Sequence, residues 1–397
     1  MEKYLSRLIE TQIREVLRMF PVLVLTGVRQ AGKTCTLTHL LPQYRYVSLE
    51  LPSVSAMAEE TPELFLASHP VPVIFDEIQN APNLFRYVKK EVDESRHAMG
   101  AFVLSGSQHF SLMQNVSESL AGRAGVLQME GMCYQETGYA SIEEAILRGG
   151  YPELARNHEM NVTRFFSSYL LTYLERDVRQ LKNVGNLRDF ERFMRLLALR
   201  SGCQLDMSAL ATGVGVSLPT IKAWISVLET SCIISFLQPW SGNLSKRLVK
   251  SPKVYFNDTG LLCFLQGISE IEELKHSMMI GQIWETFVFS ELRKHVAGKG
   301  LNRQFFFYRE NSGLEVDLLV IGNGTRLIEA KWSEHPGADA AKAIIQLKEK
   351  ISKAETTSYG LSNVQGYIAC RTAAPYPVDP AASRTMAIGG EELGTLV

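Results

Sequence analysis

Two groups of residues have types and spacing that could do chemistry. The first is Gly27-Val28-Arg29-Gln30-Ala31-Gly32-Lys33-Thr34, of the form G-x-x-x-x-G-K-T. In such a loop backbone N–H groups cradle phosphate oxygens, Lys33 reaches the outer phosphates and Thr34 helps hold Mg²⁺. Its flanks agree: Pro21–Leu25 reads as a buried strand, and Cys35–Leu41 begins a helix whose N-terminus suits an anion. Gly27, Arg29, Gln30, Ala31, Gly32 and Cys35 are the expected nucleotide neighbours. Downstream, Val71–Phe75 is an apolar run ending in Asp76-Glu77. Asp76 is expected in the Mg²⁺ shell and Glu77 as the group that polarises the attacking water, because charge neutralisation and water orientation are separate tasks. Ala101–Ser107 is a further strand, where Ser107 either senses the outer phosphate or simply ends the strand. Arg123, after a helical stretch, is a candidate to stabilise phosphoryl transfer, in its own subunit or across an interface, or else a surface residue.

The second group lies near the C-terminus. Glu285 sits on an apolar helix from Ile280 to Leu292. Glu315–Ile321 and Arg326–Trp332 read as strands joined by a tight turn at Gly322-Asn323-Gly324. Glu329 and Lys331, two apart on a strand, share a face, and a hairpin partner can bring Asp317 beside them. Asp317 and Glu329, with Glu285 as a third carboxylate, make a hard oxygen site for Mg²⁺. Lys331 can orient or help deprotonate a metal-bound water. The pattern Asp317…Glu329-Ala330-Lys331 resembles the core of PD-(D/E)XK nucleases. Alternating charges on an exposed strand, or a binding platform without catalysis, would leave the same pattern.

The elements that must position these groups follow from periodicity. Leu5, Leu8, Ile9, Ile13, Val16 and Leu17 recur at helical steps. Tyr44–Leu49 reads as a strand, and Pro62–Leu66 opens a helix with Thr61 as N-cap. Gly149-Gly150 marks a boundary, followed by a helical stretch from Val162 to Val178 carrying Glu175-Arg176-Asp177, an expected structural ion-pair group. Phe190–Arg200, Met207–Ala211 and Ser217–Glu229 read as helices, with a glycine turn at Gly213–Val216. Cys232–Leu237 and Lys253–Phe256 read as strands. This order fits a winged helix-turn-helix. Lys222, Ser217, Thr220 and Ser226 offer little for reading base edges. Lys246, Arg247, Lys250 and Lys253 could contact phosphates, or the module packs on the nucleotide domain and relays its state. Ala338–Lys353 contains a helix and Val364–Cys370 a strand, and Pro375, Pro377 and Pro380 mark loop.

A chain of 397 residues, 46% hydrophobic and 21% charged, is too long for one core. Lys+Arg (41) nearly balances Asp+Glu (42), so no global basic field advertises nucleic acid. The six cysteines are scattered without a C-x-x-C pair, which argues against a zinc site or a disulfide framework. No run is long enough to cross a bilayer, and a cytoplasmic protein without membrane partners is expected.

GVRQAGKT, IFDEIQNAPNLFRYVKKEVD, LSGSQHFSLM, SESLAGRAG and RGGYPE, in that order, resemble a widespread group of prokaryotic AAA-type ATPases that carry a C-terminal domain of long-unassigned function. The resemblance covers most of the chain and raises Arg123 and Ser107 as site residues. Val28 stands where a proline is common, and Gly131-Met132 where a proline-containing segment is typical; neither change removes a ligand side chain. The expected fold is α/β: a three-layer AAA-like P-loop NTPase domain over 1–155, a helical and winged-helix region over 156–270, and a smaller PD-(D/E)XK-like α/β domain over 271–397. The expected cofactors are ATP and Mg²⁺, and the expected function is an ATPase coupled to a nuclease-like domain acting on DNA or another nucleic acid, with a homo-oligomer as a further expectation. The alternative is an ATP-dependent switch that binds DNA or a protein partner without cleavage.

Overall fold

The computed structural model describes residues 4–95, 98–106, 116, 118–173, 187–240, 251–353, 361–379 and 384–397. The apolar run before the phosphate loop forms strand β1 (Val22–Gly27), buried along its whole length. It lies in a five-stranded parallel sheet with β2 (Arg45–Ser48), β3 (Val73–Asp76), β4 (Phe102–Ser105) and β5 (Ala124–Met129), in the order β2-β3-β4-β1-β5. Strand alternation splits the side chains of β1 between two apolar layers. Leu23 and Leu25 pack with Ile13 and Leu17 of α1 (Glu10–Met19) and Leu37 of α2 (Lys33–Leu40). Val22 and Val24 pack with Phe65, Leu84, Phe85 and Val88 on the opposite face. A parallel sheet buried on both faces is the arrangement that continuous apolar strands require. Strand β5 has no clear period-2 pattern, its burial being irregular at the sheet's edge, and it is not legible from the sequence.

The middle segment supplies α3 (Leu187–Ala198), α4 (Met207–Val214) and α5 (Leu218–Thr230). Helix α4 runs through Gly213, so the turn falls at Gly215, whose φ of 86° suits a residue without Cβ. Ser217 caps α5 as expected, its Oγ accepting from the Thr220 N–H at 3.3 Å. The two helices are bent by 107°. Phe190 and Phe193 of α3 pack on Trp224 of α5. Thr61 does not cap its helix; its hydroxyl bonds back to the Met57 carbonyl at 2.9 Å.

Next come β6 (Ile234–Pro239) and β7 (Lys253–Phe256), an antiparallel pair. They continue into an eight-stranded sheet with β8 (Gln304–Arg309), β9 (Glu315–Gly322), β10 (Gly324–Ala330), β11 (Val364–Cys370), β12 (Tyr376–Asp379) and β13 (Thr385–Gly389). The order is β12-β13-β11-β10-β9-β8-β6-β7, so the sheet runs across residue 270, where the sequence divides the middle from the C-terminal part. Pro377, expected in a loop, lies in β12, an edge strand where a missing N–H costs no central ladder bond. Helices α6 (Thr259–Leu265), α7 (Ile280–Lys299) and α8 (Lys342–Lys353) pack around this sheet. One apolar cluster runs from Leu25 and Met132 through Phe193, Trp224 and Leu262 to Trp284, Leu318 and Ile328. The segments therefore share a core. Among the described residues no single helix is long and apolar enough to cross a membrane.

Candidate functional site

The phosphate loop turns sharply where β1 meets α2. Gly27 has φ 142°, and a Cβ there would lie 2.1 Å from the Met129 carbonyl oxygen of β5. Gly32 has φ 90°. Both positions need glycine, which is why the loop's spacing was readable. The buried Lys33 ammonium donates to the Val28 carbonyl at 3.0 Å and the Gly27 carbonyl at 3.1 Å. Burial pulls its pKa down, against the attraction of Glu77 and Asp76.

Asp76 ends β3 beside the loop. Its Oδ2 accepts from the Thr34 hydroxyl at 2.6 Å and from Tyr46 at 2.8 Å; its Oδ1 accepts from Ser105 at 2.6 Å. Tyr46 and Ser105 come from the neighbouring strands, and no local pattern marks them. Thr34 and Asp76 thus present adjacent hard oxygens, a donor set that fits Mg²⁺. Glu77 takes a left-handed conformation, φ 55°, unusual for a residue with a side chain. Its carboxylate accepts a hydrogen bond from Gln79. Arg29, Gln30, Gly32, Lys33, Thr34, Cys35 and Glu77 line a cavity of about 520 Å³. Its far wall is Tyr169, Thr172 and Tyr173, from the helix Val162–Tyr173. A neighbouring cavity of about 440 Å³ shares Gln30, Gly32 and Cys35 and is lined by Tyr4, Leu5, Met132 and Phe165. Behind the loop the buried Arg7 donates to the Ala31 carbonyl at 2.6 Å and the Glu130 carbonyl at 2.8 Å, and pairs with Glu136 at 3.2 Å.

The C-terminal residues converge as a second site. Strands β9 and β10 pair as the expected hairpin, with Leu318 opposite Ile328, so Asp317 and Glu329 come together. Asp317 Oδ2 accepts from the Ala330 N–H at 3.0 Å. Lys331, just past β10, pairs with Glu329 at 3.2 Å. Glu329 is buried, and its Oε1 has no hydrogen-bond partner. Burial, then the charge of Asp317, pushes its pKa up to about 9. Asp317, Glu329 and Lys331 open into a cavity of about 640 Å³, with Lys342, Gln346 and Lys350 of α8 along one wall.

Glu285 reaches the cluster from α7, but its Oε1 is already bonded to Tyr255 at 2.5 Å and to Lys253 at 3.0 Å. Burial and then Asp317 raise its pKa to about 7. Lys253 corrects the sequence reading. It was a candidate for phosphate contact on an exposed hairpin, yet it is buried and pairs with Glu285, Glu315 and Asp317. Burial is the largest influence on its pKa and favours the neutral amine, but the carboxylates outweigh it and raise the value. Asp317 and Glu329, the latter with its orphaned Oε1, offer hard oxygens that suit a divalent cation; Glu285 and Glu315 are engaged by Lys253.

A model described as an AAA domain matches residues 19–138, and two described as domains of unknown function, DUF8612 and DUF4143, match residues 139–272 and 280–382. The uncharacterized proteins Rv2008c of Mycobacterium tuberculosis and Mb2031c of Mycobacterium bovis are each 32% identical over 316 residues, 78% of this chain and 69% of theirs. The chain belongs to one family with these two mycobacterial proteins, and its residues 19–138 are an AAA domain. Among solved structures, a Walker-type ATPase of Pyrococcus abyssi is similar at 14% identity and a TM-score of 0.44, covering 65% of this chain and 94% of that one. The RuvB Holliday junction branch migration motor of Thermotoga maritima is similar at 17% identity and a TM-score of 0.30, covering 57% and 88%.

Two expectations drawn from the AAA-type resemblance fare differently. Ser107 lies outside the described residues, as do Glu175, Arg176 and Asp177 and the basic residues Lys246, Arg247 and Lys250. Arg123 is not brought to its own chain's phosphate loop. It precedes Ala124, which pairs with Val22 at the start of β1, whereas the loop follows Gly27 at the other end. Five residue steps separate the ends, roughly 16 Å of strand. Arg123 instead pairs with Asp93 at 2.6 Å. Ser217, Lys222 and Ser226 are exposed on α5. Cys133, Glu291 and His295 lie close enough to suggest a metal, but Glu291 is held by Lys294 at 3.0 Å and the Tyr134 N–H at 2.8 Å, and this buried group joins β5's following turn to α7.

Proposed function

We propose that the chain binds ATP with Mg²⁺ at the phosphate loop and hydrolyses it, and that it couples this cycle to a PD-(D/E)XK-like site that cuts nucleic acid. The observation that carries the first part is that Lys33, Thr34 and Glu77 line one cavity and that Asp76 accepts a hydrogen bond from Thr34. Gly27, Gly32 and the loop amides hold the phosphates, Lys33 neutralises the outer ones, and Arg29, Gln30, Ala31 and Cys35 flank them. Mg²⁺ supplies charge neutralisation when bound, and Thr34 and Asp76 are the residues that hold it. Glu77 orients the attacking water. The neighbouring cavity beside Tyr4, Leu5 and Phe165 has the apolar lining that a nucleobase takes. Tyr169 and Tyr173 close the site from the middle segment.

For the second site, the support is that Asp317, Glu329 and Lys331 line one cavity and that Glu329 also carries a buried oxygen without a hydrogen-bond partner. Asp317 and Glu329 would hold the metal, which would supply charge neutralisation, and Lys331 would orient the attacking water. Helices α3–α5 with β6 and β7 are read as a winged helix that contacts nucleic-acid phosphates or relays the state of the nucleotide domain. Arg123 is read as serving a second copy of the chain in a homo-oligomer. Six free cysteines favour a reducing cytoplasm.

Incubation of labelled DNA and RNA with Mg²⁺ tests the coupled reading, comparing wild type with Asp317→Ala and Lys331→Ala. Cleavage lost in both variants is expected. Equal products from all three proteins would remove the nuclease part and leave an ATP-dependent switch, which binding of the same nucleic acids with and without ATP would then reveal.

A further inference from the structure

Lys253 brings a fixed positive charge into the acidic site from outside the C-terminal part. Its Nζ lies 2.8 Å from Glu315 Oε1, 3.0 Å from Glu285 Oε1 and 4.0 Å from Asp317 Oδ1. Only 4% of the side chain is exposed, and it sits 5.5 Å from the centre of the Phe307 ring. Its strand cannot retract freely. Val254 exchanges bonds with Gly202 and Cys203, at 2.7 Å and 3.0 Å, and β7 pairs with β6. An ammonium held among carboxylates performs there the neutralisation that a metal ion would.

The strand paired with that of Asp317 is different. There Glu329, itself buried, has an oxygen with no hydrogen-bond partner, and the cavity reaches Asp317, Glu329 and Lys331. A buried acceptor without a partner is costly unless something else satisfies it. Phosphodiester sites commonly use two metal ions, one on each side of the reacting phosphate. Here a lysine ammonium already sits among Glu285, Glu315 and Asp317.

We propose that Lys253 takes the place of one ion of a two-ion site, so that the site binds a single divalent cation, held by Asp317 and Glu329, while Glu285 and Glu315 hold Lys253. This rests on reading the acidic cluster as a metal site. It makes Lys253 a positioning residue, and it makes the C-terminal site incomplete without the middle segment. A second divalent ion at Glu285 and Glu315 would meet the ammonium as a like charge.

The test is the stoichiometry of Mn²⁺ binding to the full chain without nucleotide, followed by the resonance of free Mn²⁺. Subtracting Asp317→Asn isolates the acidic site from any ion near Thr34 and Asp76. Wild type is expected to bind one ion that Asp317→Asn loses. Lys253→Gln is expected to bind a second, and Lys253→Arg, which keeps the charge, to bind one. Two ions in wild type, both lost in Asp317→Asn, would overturn the role of Lys253 and leave the metal site standing. No ion lost in Asp317→Asn would overturn the metal site and this inference with it. A folded Lys253→Gln that still binds one ion with unchanged affinity would also sink the proposal. Should Lys253→Gln fail to fold, by circular dichroism and thermal melting, the wild-type and Lys253→Arg counts decide.

Discussion

The phosphate loop is built from consecutive residues, Gly27 to Thr34, with Asp76 and Glu77 added from the end of β3, which lies beyond β4 from β1. The acidic cluster draws instead on β7, α7, β9 and β10, from Lys253 to Lys331. Their lysines differ in the same way. Lys33 bonds to carbonyls of its own loop, and burial lowers its pKa. Lys253 faces three carboxylates from other elements, and its pKa is raised. A loop that closes on itself fixes its donors by backbone geometry, needing glycine only where φ is positive or Cβ would clash. A cluster collected across a sheet depends on the packing of everything beneath it, here the shared core that includes Trp284, Leu318 and Ile328.

The sharpest way to separate the two sites is Lys33→Ala. ATP binding and phosphate release should fall by roughly 10²-fold or more, since a preorganised charge on the phosphates is lost. Mn²⁺ bound at the acidic cluster should be unchanged; a parallel loss there would show that the sites are not independent. Glu77→Gln comes next. Turnover should drop about 10²-fold while a fluorescent ATP analogue still binds, as expected when water orientation goes but the cradle stays. Unchanged phosphate release would remove Glu77 from the chemistry.

Smaller effects probe the long-range part of the first site. Tyr46→Phe and Ser105→Ala each remove one hydrogen bond to Asp76. Each should weaken Mg²⁺-dependent ATP binding by up to about tenfold, the worth of one such bond. Titration of Mg²⁺ at fixed ATP measures this, and no shift would mean that Thr34 alone orients Asp76.

The smallest effect is a pH dependence of stability. An unfolded glutamate titrates near about 4.3, whereas Glu329 is held protonated up to about 9. Between those values the folded chain binds the extra proton, so metal-free stability falls as pH rises and levels off above about 9. Melting temperatures without divalent ions should therefore decline by a few degrees from pH 5 to 9, and Glu329→Gln should flatten the decline. An identical slope in the variant would place the titrating group elsewhere.

Short-range signals carried much of the sequence reading. The phosphate loop is legible because its backbone needs glycine at Gly27 and Gly32, and β3 because an apolar run ends at Asp76-Glu77. The hairpin of β9 and β10 is legible from Gly322-Asn323-Gly324, and the Ser217 cap from its place before an apolar helix. Each of these rests on periodicity or a turn, which neighbouring residues impose on one another.

Lys253 shows where that reach ends. Next to the basic residues Lys246, Arg247 and Lys250 it reads as one more surface charge, and nothing nearby in the chain says that three carboxylates await it. Tyr46, Ser105 and Tyr255 are likewise ordinary strand residues until sheet order sets them beside Asp76 or Glu285. Arg123 reads as a candidate for its own subunit's site or a neighbour's, and the parallel register of β1 and β5 places it at the end of the sheet away from its own loop. Local hydrogen bonding and side-chain period decide what an element is. Which charges are buried, and against which partners, follows from the order of strands and from the core they share, and both are set by contacts between residues far apart in the chain.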